Sequence, residues 1–148
     1  MLQDVLNDPN FSGEMKRHVR EVLEILLKKG TNFSILTNIV EISFEPELPK
    51  EIRATFKPIT MFVLAGYTFE SCIVDEWGVS FEAGFGHENY GSLVCVPLLS
   101  VLQIIVDETP ILINLSVDVE ERPKPSSKGV KRSMEALLSN PDNEKLLK

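Results

Sequence analysis

The spacing of the apolar residues changes at Gly30, and this change sets the class of fold. Before Gly30, apolar residues recur every three or four positions, which predicts a helix from about Ser12 to Lys29. After it they alternate with other residues from 33 to 44, which predicts a strand. One face of this predicted strand carries Leu36, Val40, Ile42 and Phe44, and the other carries Ile35 and Ile39. The chain therefore begins with a helix followed by a sheet.

Further strands follow, separated by proline and glycine. Apolar segments predict strands at 59–65, 67–74, 79–85, 92–96 and 111–117. Pro46, Pro49 and Pro58 predict a loop before the first of these, with a short edge segment at most. Pro97 opens a helically spaced run, which predicts a short helix up to about Glu108. The order predicts an α+β fold with an antiparallel, strongly bent sheet or an open barrel and a short inserted helix.

The charges divide the chain at about residue 120. Of 15 Lys/Arg and 22 Asp/Glu residues, seven and four lie in 121–148, which leaves 8 basic and 18 acidic residues, a net charge of −10, over 1–120. An acidic body repels a phosphate backbone, so nucleic acid is not an expected partner. Residues 121–148 are rich in Pro, Ser, Gly and Lys, which predicts a flexible tail behind a folded domain of residues 1–120.

The sequence predicts a cytoplasmic protein without a membrane partner. Its longest apolar run, about 94–106, is too short to span a bilayer, and its N-terminus lacks the basic start and apolar core of a signal peptide. Cys72 and Cys95 lie in apolar segments, which predicts buried free thiols. A thiol hydrolase using His87 and Glu88 is an alternative, but apolar surroundings raise a thiol pKa. We expect no catalysis, no metal and no cofactor.

The segment "VSFEAGFG" carries glycines where a packed strand loses stability from them. Gly84 and Gly86 flank Phe85, next to the small Ala83. One interpretation is a groove for an extended peptide, kept open by the small residues, with Phe81 and Phe85 as its wall or floor. The other interpretation is a bulge that curls the sheet. The residues alone leave both interpretations open.

The longer segment "VSFEAGFGHENYGSLVCVPLLSVLQIIVDET" resembles the core of the stringent starvation protein B family, the adaptors that deliver substrates to the ClpXP protease. In that family, a strand of the form aromatic–x–Ala–x–Phe–Gly precedes a loop and a short strand that enters a Val-Pro-Leu helix. The matching residues are Phe81, Ala83, Phe85, Gly86, Val96, Pro97, Leu98, Val101 and Leu102. The apolar first helix with "EILLKKG" extends the resemblance to about residues 15–117.

The resemblance implies an Sm-like open barrel and a homodimer formed through the N-terminal helix. It also implies a groove for the degradation tag added to stalled polypeptides by transfer-messenger RNA. The candidate peptide-binding residues are Phe81, Ala83, Phe85, Ile111 and Leu112. The end of the tail is expected to dock on the N-terminal domain of ClpX through Leu146, Leu147 and Lys148. Such an adaptor raises the local concentration of a tagged substrate at the protease.

Three features depart from the family pattern. Gly84 stands where relatives carry arginine, the "HENYG" loop at 87–91 is longer, and the tail is short and basic. A diverged peptide-binding protein with a different client is therefore one alternative. An Sm-like RNA-binding module is another, which the acidic body disfavours.

Overall fold

The computed structural model describes residues 1–116 of the 148-residue chain. Residues 14–115 form one compact unit, and residues 1–13 belong to another. The helices are α1 (Leu2–Leu6), α2 (Pro9–Lys29), α3 (Lys50–Arg53) and α4 (Gly66–Glu70). The strands are β1 (Phe33–Asn38), β2 (Ser43–Glu45), β3 (Ile59–Leu64), β4 (Ile73–Val74), β5 (Gly78–Phe85), β6 (Tyr90–Pro97), β7 (Val101–Val106) and β8 (Thr109–Ile113). Two 3₁₀ turns, at Ile39–Glu41 and Leu98–Ser100, separate successive strands.

The strands form two four-stranded sheets in which neighbouring strands are antiparallel. The first sheet has the order β3-β1-β7-β8, and the second has the order β2-β6-β5-β4. The α+β class predicted from the sequence is therefore confirmed. The single bent sheet is instead two sheets, and the strands within residues 1–116 do not close into a barrel.

Helix α2 confirms the predicted N-terminal helix, although it begins earlier, at Pro9. Its buried apolar residues are Val19, Leu23 and Leu26. Ile25 lies outside this stripe and is 54% exposed. The helix ends at Gly30, whose φ of 73° is a conformation that glycine adopts at little cost.

The predicted strand at 33–44 is divided by the 3₁₀ turn at Ile39–Glu41. Asn38 starts this turn, because its side-chain oxygen accepts a hydrogen bond from the Val40 backbone N–H at 3.1 Å. The turn shifts the alternation by one residue, so β1 buries Ile35 whereas β2 buries Phe44. The prediction that Leu36, Val40, Ile42 and Phe44 share one face is therefore wrong. The two strands also belong to different sheets.

The predicted strand at 67–74 is mostly helix α4, which leaves only the two residues of β4 as strand. Gly66 starts α4 with a φ of 60°. One helical turn then brings Phe69 against Phe33, with the ring centroids 6.1 Å apart. Contact with the core therefore outweighs the strand propensity of this segment.

The predicted helix after Pro97 is also wrong, because Val101–Val106 forms strand β7 between β1 and β8. The segment is rich in β-branched residues, which favour a strand, and a short apolar run fits both periodicities. Asp107 and Glu108 form the turn into β8, with φ values of 50° and 66°. A two-residue turn with both φ values positive matches the twist of a hairpin.

Residues 14–115 share one hydrophobic core, formed by α2 and the inner faces of both sheets. Phe81 of β5 has no exposed surface, and its ring centroid lies 5.5 Å from that of Phe62 in β3. The core therefore joins the two sheets at the middle of β5. Beyond that point β5 continues towards its turn with β6, where the candidate site lies.

Candidate functional site

The hairpin formed by β5 and β6 explains the glycines of "VSFEAGFG". The two strands pair in unbroken register from Gly78 opposite Pro97 to Phe85 opposite Tyr90, so no bulge interrupts them. A Cβ atom on Gly84 would clash with the Asn89 side chain, which folds back from the turn. Gly86 begins that turn with a φ of 75°. Both glycines therefore have a role within the hairpin itself.

A groove of about 710 Å³ opens between α3 and the hairpin tip, residues 85–90. We call it the tip groove. The wall around α3 contributes Pro49, Glu51, Ile52, Thr55 and Phe56. The hairpin tip contributes Phe85, Gly86, His87, Glu88 and Tyr90. The site is concave and joins apolar side chains to a few polar ones, as ligand-binding sites commonly do.

Aromatic packing fixes Phe85 in the tip groove. Its ring makes edge-to-face contacts with Phe44, Phe56 and Phe62 at centroid distances of 5.8, 5.7 and 6.4 Å. Phe56 also stacks on Phe44 at 5.7 Å with the ring planes 11° apart. Such pairs stabilise a defined arrangement beyond the area that they bury. The apolar surface of the groove is therefore held in place before any ligand binds.

Helix α3 is positioned by contacts of the loop that precedes it. Before the helix, the Ser92 hydroxyl of β6 donates to the Pro46 carbonyl at 2.8 Å, and the Tyr90 hydroxyl donates to the Glu47 carbonyl at 3.3 Å. After it, the Thr55 hydroxyl donates to the Ile52 carbonyl at 2.7 Å. The bonds of Ser92 and Tyr90 attach the loop that precedes α3 to the same hairpin that forms the opposite wall, whereas the Thr55 bond is local to the end of α3.

Polar and acidic side chains line both walls of the tip groove. Glu51 lies on the α3 wall, while His87 and Glu88 lie on the hairpin tip, and all three are exposed. Arg53 does not line the groove, because its guanidinium lies over the Phe44 ring, 5.1 Å from the centroid. The rim of the groove is therefore acidic on both sides.

The structure brings only one of the five predicted peptide-binding residues to the tip groove, and that residue is Phe85. Phe81 and Leu112, at 0% and 5% exposure, belong to the core instead of to a surface groove. Their positions on the inward faces of β5 and β8 explain this burial. Ala83 is partly buried against the core, and Ile111 is exposed on the other sheet. Leu146, Leu147 and Lys148 lie outside the described residues, as does the predicted tail from 121 onward.

Sequence reasoning missed the wall around α3, because the prolines predicted a loop there. The missed apolar residues of this wall are Ile52 and Phe56. They lie four positions apart and follow Pro49, a residue that favours a helix start. That spacing is the signal from which a helical turn with one apolar side could have been predicted.

The two cysteines lie partly buried and unbonded to each other. Burial raises the pKa of the Cys72 thiol from 9.0 to about 11. Burial also raises the pKa of Cys95, against the opposing effect of a hydrogen bond with Ser43. Both thiols are therefore poorly ionised near neutral pH. Because the thiolate is the nucleophile, both are weak nucleophiles under these conditions. Within residues 1–116, no three metal-ligating side chains lie close enough together to hold an ion.

A second apolar surface covers the side of the first sheet that faces away from the core. Its exposed side chains are Ile59, Met61, Val63, Ile111 and Ile113. We call this surface the outer face. A shallower groove of about 420 Å³ lies at one end of it, beside Asp107 and Glu108. The outer face lacks the second wall that α3 gives to the tip groove.

Comparisons with known proteins leave the resemblance to the stringent starvation protein B family as a prediction. No protein-family model matches the chain, and no curated protein matches it significantly. None of the helices in the described part of the chain is long and apolar enough to cross a membrane.

Proposed function

We propose that this protein is a non-enzymatic adaptor that binds an unstructured peptide segment of a client protein in the tip groove. In the form that the sequence resemblance implies, the segment is a degradation tag and the adaptor delivers the tagged client to ClpXP. The observation that carries the proposal is the tip groove itself, a preformed apolar cleft of about 710 Å³ with polar groups on both walls.

The outward edge of β5 is largely occupied before it reaches the hairpin tip. Gly78 and Glu82 form backbone hydrogen bonds away from β6, since the Gly78 carbonyl accepts from Asp75 and the Glu82 N–H donates to the Ser71 hydroxyl. Strand alternation places the backbone groups of Gly84 on that same outward edge. The short strand β4 pairs only with Val79 and Ser80. Because β4 and α4 occupy this edge as far as Glu82, a peptide in the tip groove can add a backbone contact only near Gly84.

The proposal includes three further features that the resemblance implies: an open barrel, a homodimer and docking on ClpX. The two antiparallel sheets with an N-terminal helix are compatible with the Sm-like open barrel that the resemblance implies. The homodimer through the N-terminal helix is kept as the resemblance implies it, with Ile25 of α2 54% exposed. Docking on ClpX through Leu146, Leu147 and Lys148 completes the proposed delivery.

The groove is tested with Thr55→Trp, which adds a large side chain to the α3 wall without removing a core residue. Ala83, partly buried and absent from the groove lining, is less suitable for this purpose. We expect the affinity for a fluorescein-labelled tag peptide to fall by about tenfold or more, because the indole fills the cleft. Fluorescence anisotropy with the full-length chain measures the affinity. The matched control is Val63→Trp, which adds the same side chain on the outer face.

A folded Thr55→Trp variant that binds the peptide as tightly as the Val63→Trp variant would rule out the tip groove as the binding site.

Removal of the last five residues separates an adaptor from a simple peptide binder. An adaptor keeps its peptide affinity but loses stimulation of tag-dependent degradation by ClpXP, whereas a simple binder shows no stimulation in either form.

A further inference from the structure

We propose that the tip groove prefers a client segment in which apolar residues are flanked by Lys or Arg, and that it disfavours an acidic segment. This inference rests on the peptide-binding function proposed above and adds the chemical class of the client. It is drawn from the charges that surround the apolar surface of the groove.

The two walls of the groove present carboxylates from opposite sides. Glu51 belongs to α3 and Glu88 to the hairpin tip, and both side chains are exposed. Neither takes part in the ion pairs found within residues 1–116, all of which lie between Met1 and Glu24. Both carboxylates are therefore available to a cation on a bound segment.

The charged side chains that line the groove are carboxylates, while the basic residues of the α3 wall do not line it. From Pro58 to Ser116 the chain contains seven Asp/Glu residues and no Lys or Arg, and this stretch includes the whole hairpin. On the wall around α3, Lys50, Arg53 and Lys57 lie near Glu51 in the chain, but none of them lines the groove. Arg53 is occupied by its contact with the Phe44 ring. The lining of the groove therefore carries Glu51 and Glu88 and no Lys or Arg, which favours a basic segment over an acidic one.

The apolar surface and the acidic rim together describe the ligand. Ile52, Phe56 and Phe85 offer contacts to one or two apolar side chains, while a Lys or Arg on each side reaches the rim. Exposed ion pairs contribute modestly, so the charge adds selectivity to an affinity that is mainly apolar. Exchanging two flanking Arg residues for Gln is expected to weaken binding by about three- to tenfold.

The experiment is a selection of phage-displayed random dodecapeptides on the full-length protein in 50 mM salt. The recovered sequences are expected to be enriched in apolar residues and in Lys and Arg, and depleted of Asp and Glu. Selections on Thr55→Trp give the background. In Glu51→Gln/Glu88→Gln the Lys and Arg enrichment should disappear while the apolar enrichment remains. Glu70→Gln, which removes an exposed carboxylate of α4, is the matched control and should behave as the parent does.

The strongest recovered peptide is then made in three forms that differ only at two flanking positions, with Arg, Gln or Glu. Anisotropy should rank their affinities in that order, and 500 mM salt should compress the differences because the screening length falls to a few ångströms.

Apolar enrichment without charge bias, or equal affinities of the three forms, would overturn the charge preference and leave the peptide-binding function standing. Recovery no better than that on Thr55→Trp would overturn the proposed function, and the charge preference with it.

Discussion

The middle and the tip of the β5–β6 hairpin present the same face of one strand to different surroundings. In the middle of β5, Phe81 has no exposed surface and packs against Phe62 of the opposite sheet. At the tip, Phe85 lies on the same face four residues later, but it is partly exposed and lines the tip groove. Strand alternation is identical at both positions. What covers the face decides whether an aromatic residue stabilises the fold or forms a binding surface.

This comparison is tested most strongly by Phe81→Ala and Phe85→Ala. We expect Phe81→Ala to lower the free energy of unfolding by about 3–5 kcal/mol, because it leaves a cavity in the centre of the core. Phe85→Ala should cost about half as much, since part of that ring already contacts water. Urea unfolding followed by circular dichroism measures both.

Phe85→Ala should also abolish peptide binding at a temperature where it remains folded, whereas a folded fraction of Phe81→Ala should still bind. Equal losses of stability, together with unchanged binding by Phe85→Ala, would show that the tip is simply part of the core.

A chemical probe reports the burial beside the base of the hairpin, where Cys72 follows α4 and packs against the core. Because burial raises its pKa from 9.0 to about 11, we expect iodoacetamide at pH 8 to modify it about 100-fold more slowly in the native protein than in urea. The rate is measured by mass spectrometry in a Cys95→Ser background. Similar native and unfolded rates would contradict the burial and reopen the thiol-based alternative.

The same shift has a definite sign in stability. The folded protein favours the neutral thiol of Cys72. The contribution of this thiol to the free energy of unfolding is therefore fully present below pH 9 and is lost as the pH rises from 9.0 to about 11. Cys72→Ser should remove this part of the alkaline destabilisation.

The fold was predictable where one periodicity dominates over a long segment. Helix α2 ends where a helical apolar stripe gives way to Gly30, and β5 follows a clear alternation. Prediction failed where a short apolar run fits both periodicities, as at Val101–Val106, and where one hydrogen bond accepted by the Asn38 side chain changes the phase of the alternation. In both segments the structure is decided by pairing with strands distant in the sequence, and a local sequence pattern carries no information about that pairing.

The candidate site was predictable only in part, for a related reason. Phe85 stood out because glycines flank it, although those glycines serve the turn of the hairpin. The opposite wall comes from residues some 30 positions earlier in the chain, between Pro49 and Phe56. Only the packing of Phe56 against Phe44 and Phe85 brings that wall to the hairpin tip. Sequence thus identified one side of the groove and missed the other.

The smallest expected change in stability comes from exchanging single glycines of the hairpin for alanine. Gly86 has a φ of 75°, and a Cβ added there would lie 3.2 Å from the Ile52 Cδ1 atom. Gly91 meets no atom within 4 Å and has ordinary backbone angles. Gly86→Ala should therefore cost about 1–2 kcal/mol from the left-handed conformation, whereas Gly91→Ala should be neutral or slightly stabilising. Because Ile52 lines the tip groove, Gly86→Ala should also weaken peptide binding by a fewfold, measured by anisotropy at a temperature where both variants are folded. Equal stability and equal affinity of Gly86→Ala and Gly91→Ala would mean that the backbone of the hairpin tip adjusts freely. The groove would then take its shape only when a ligand binds.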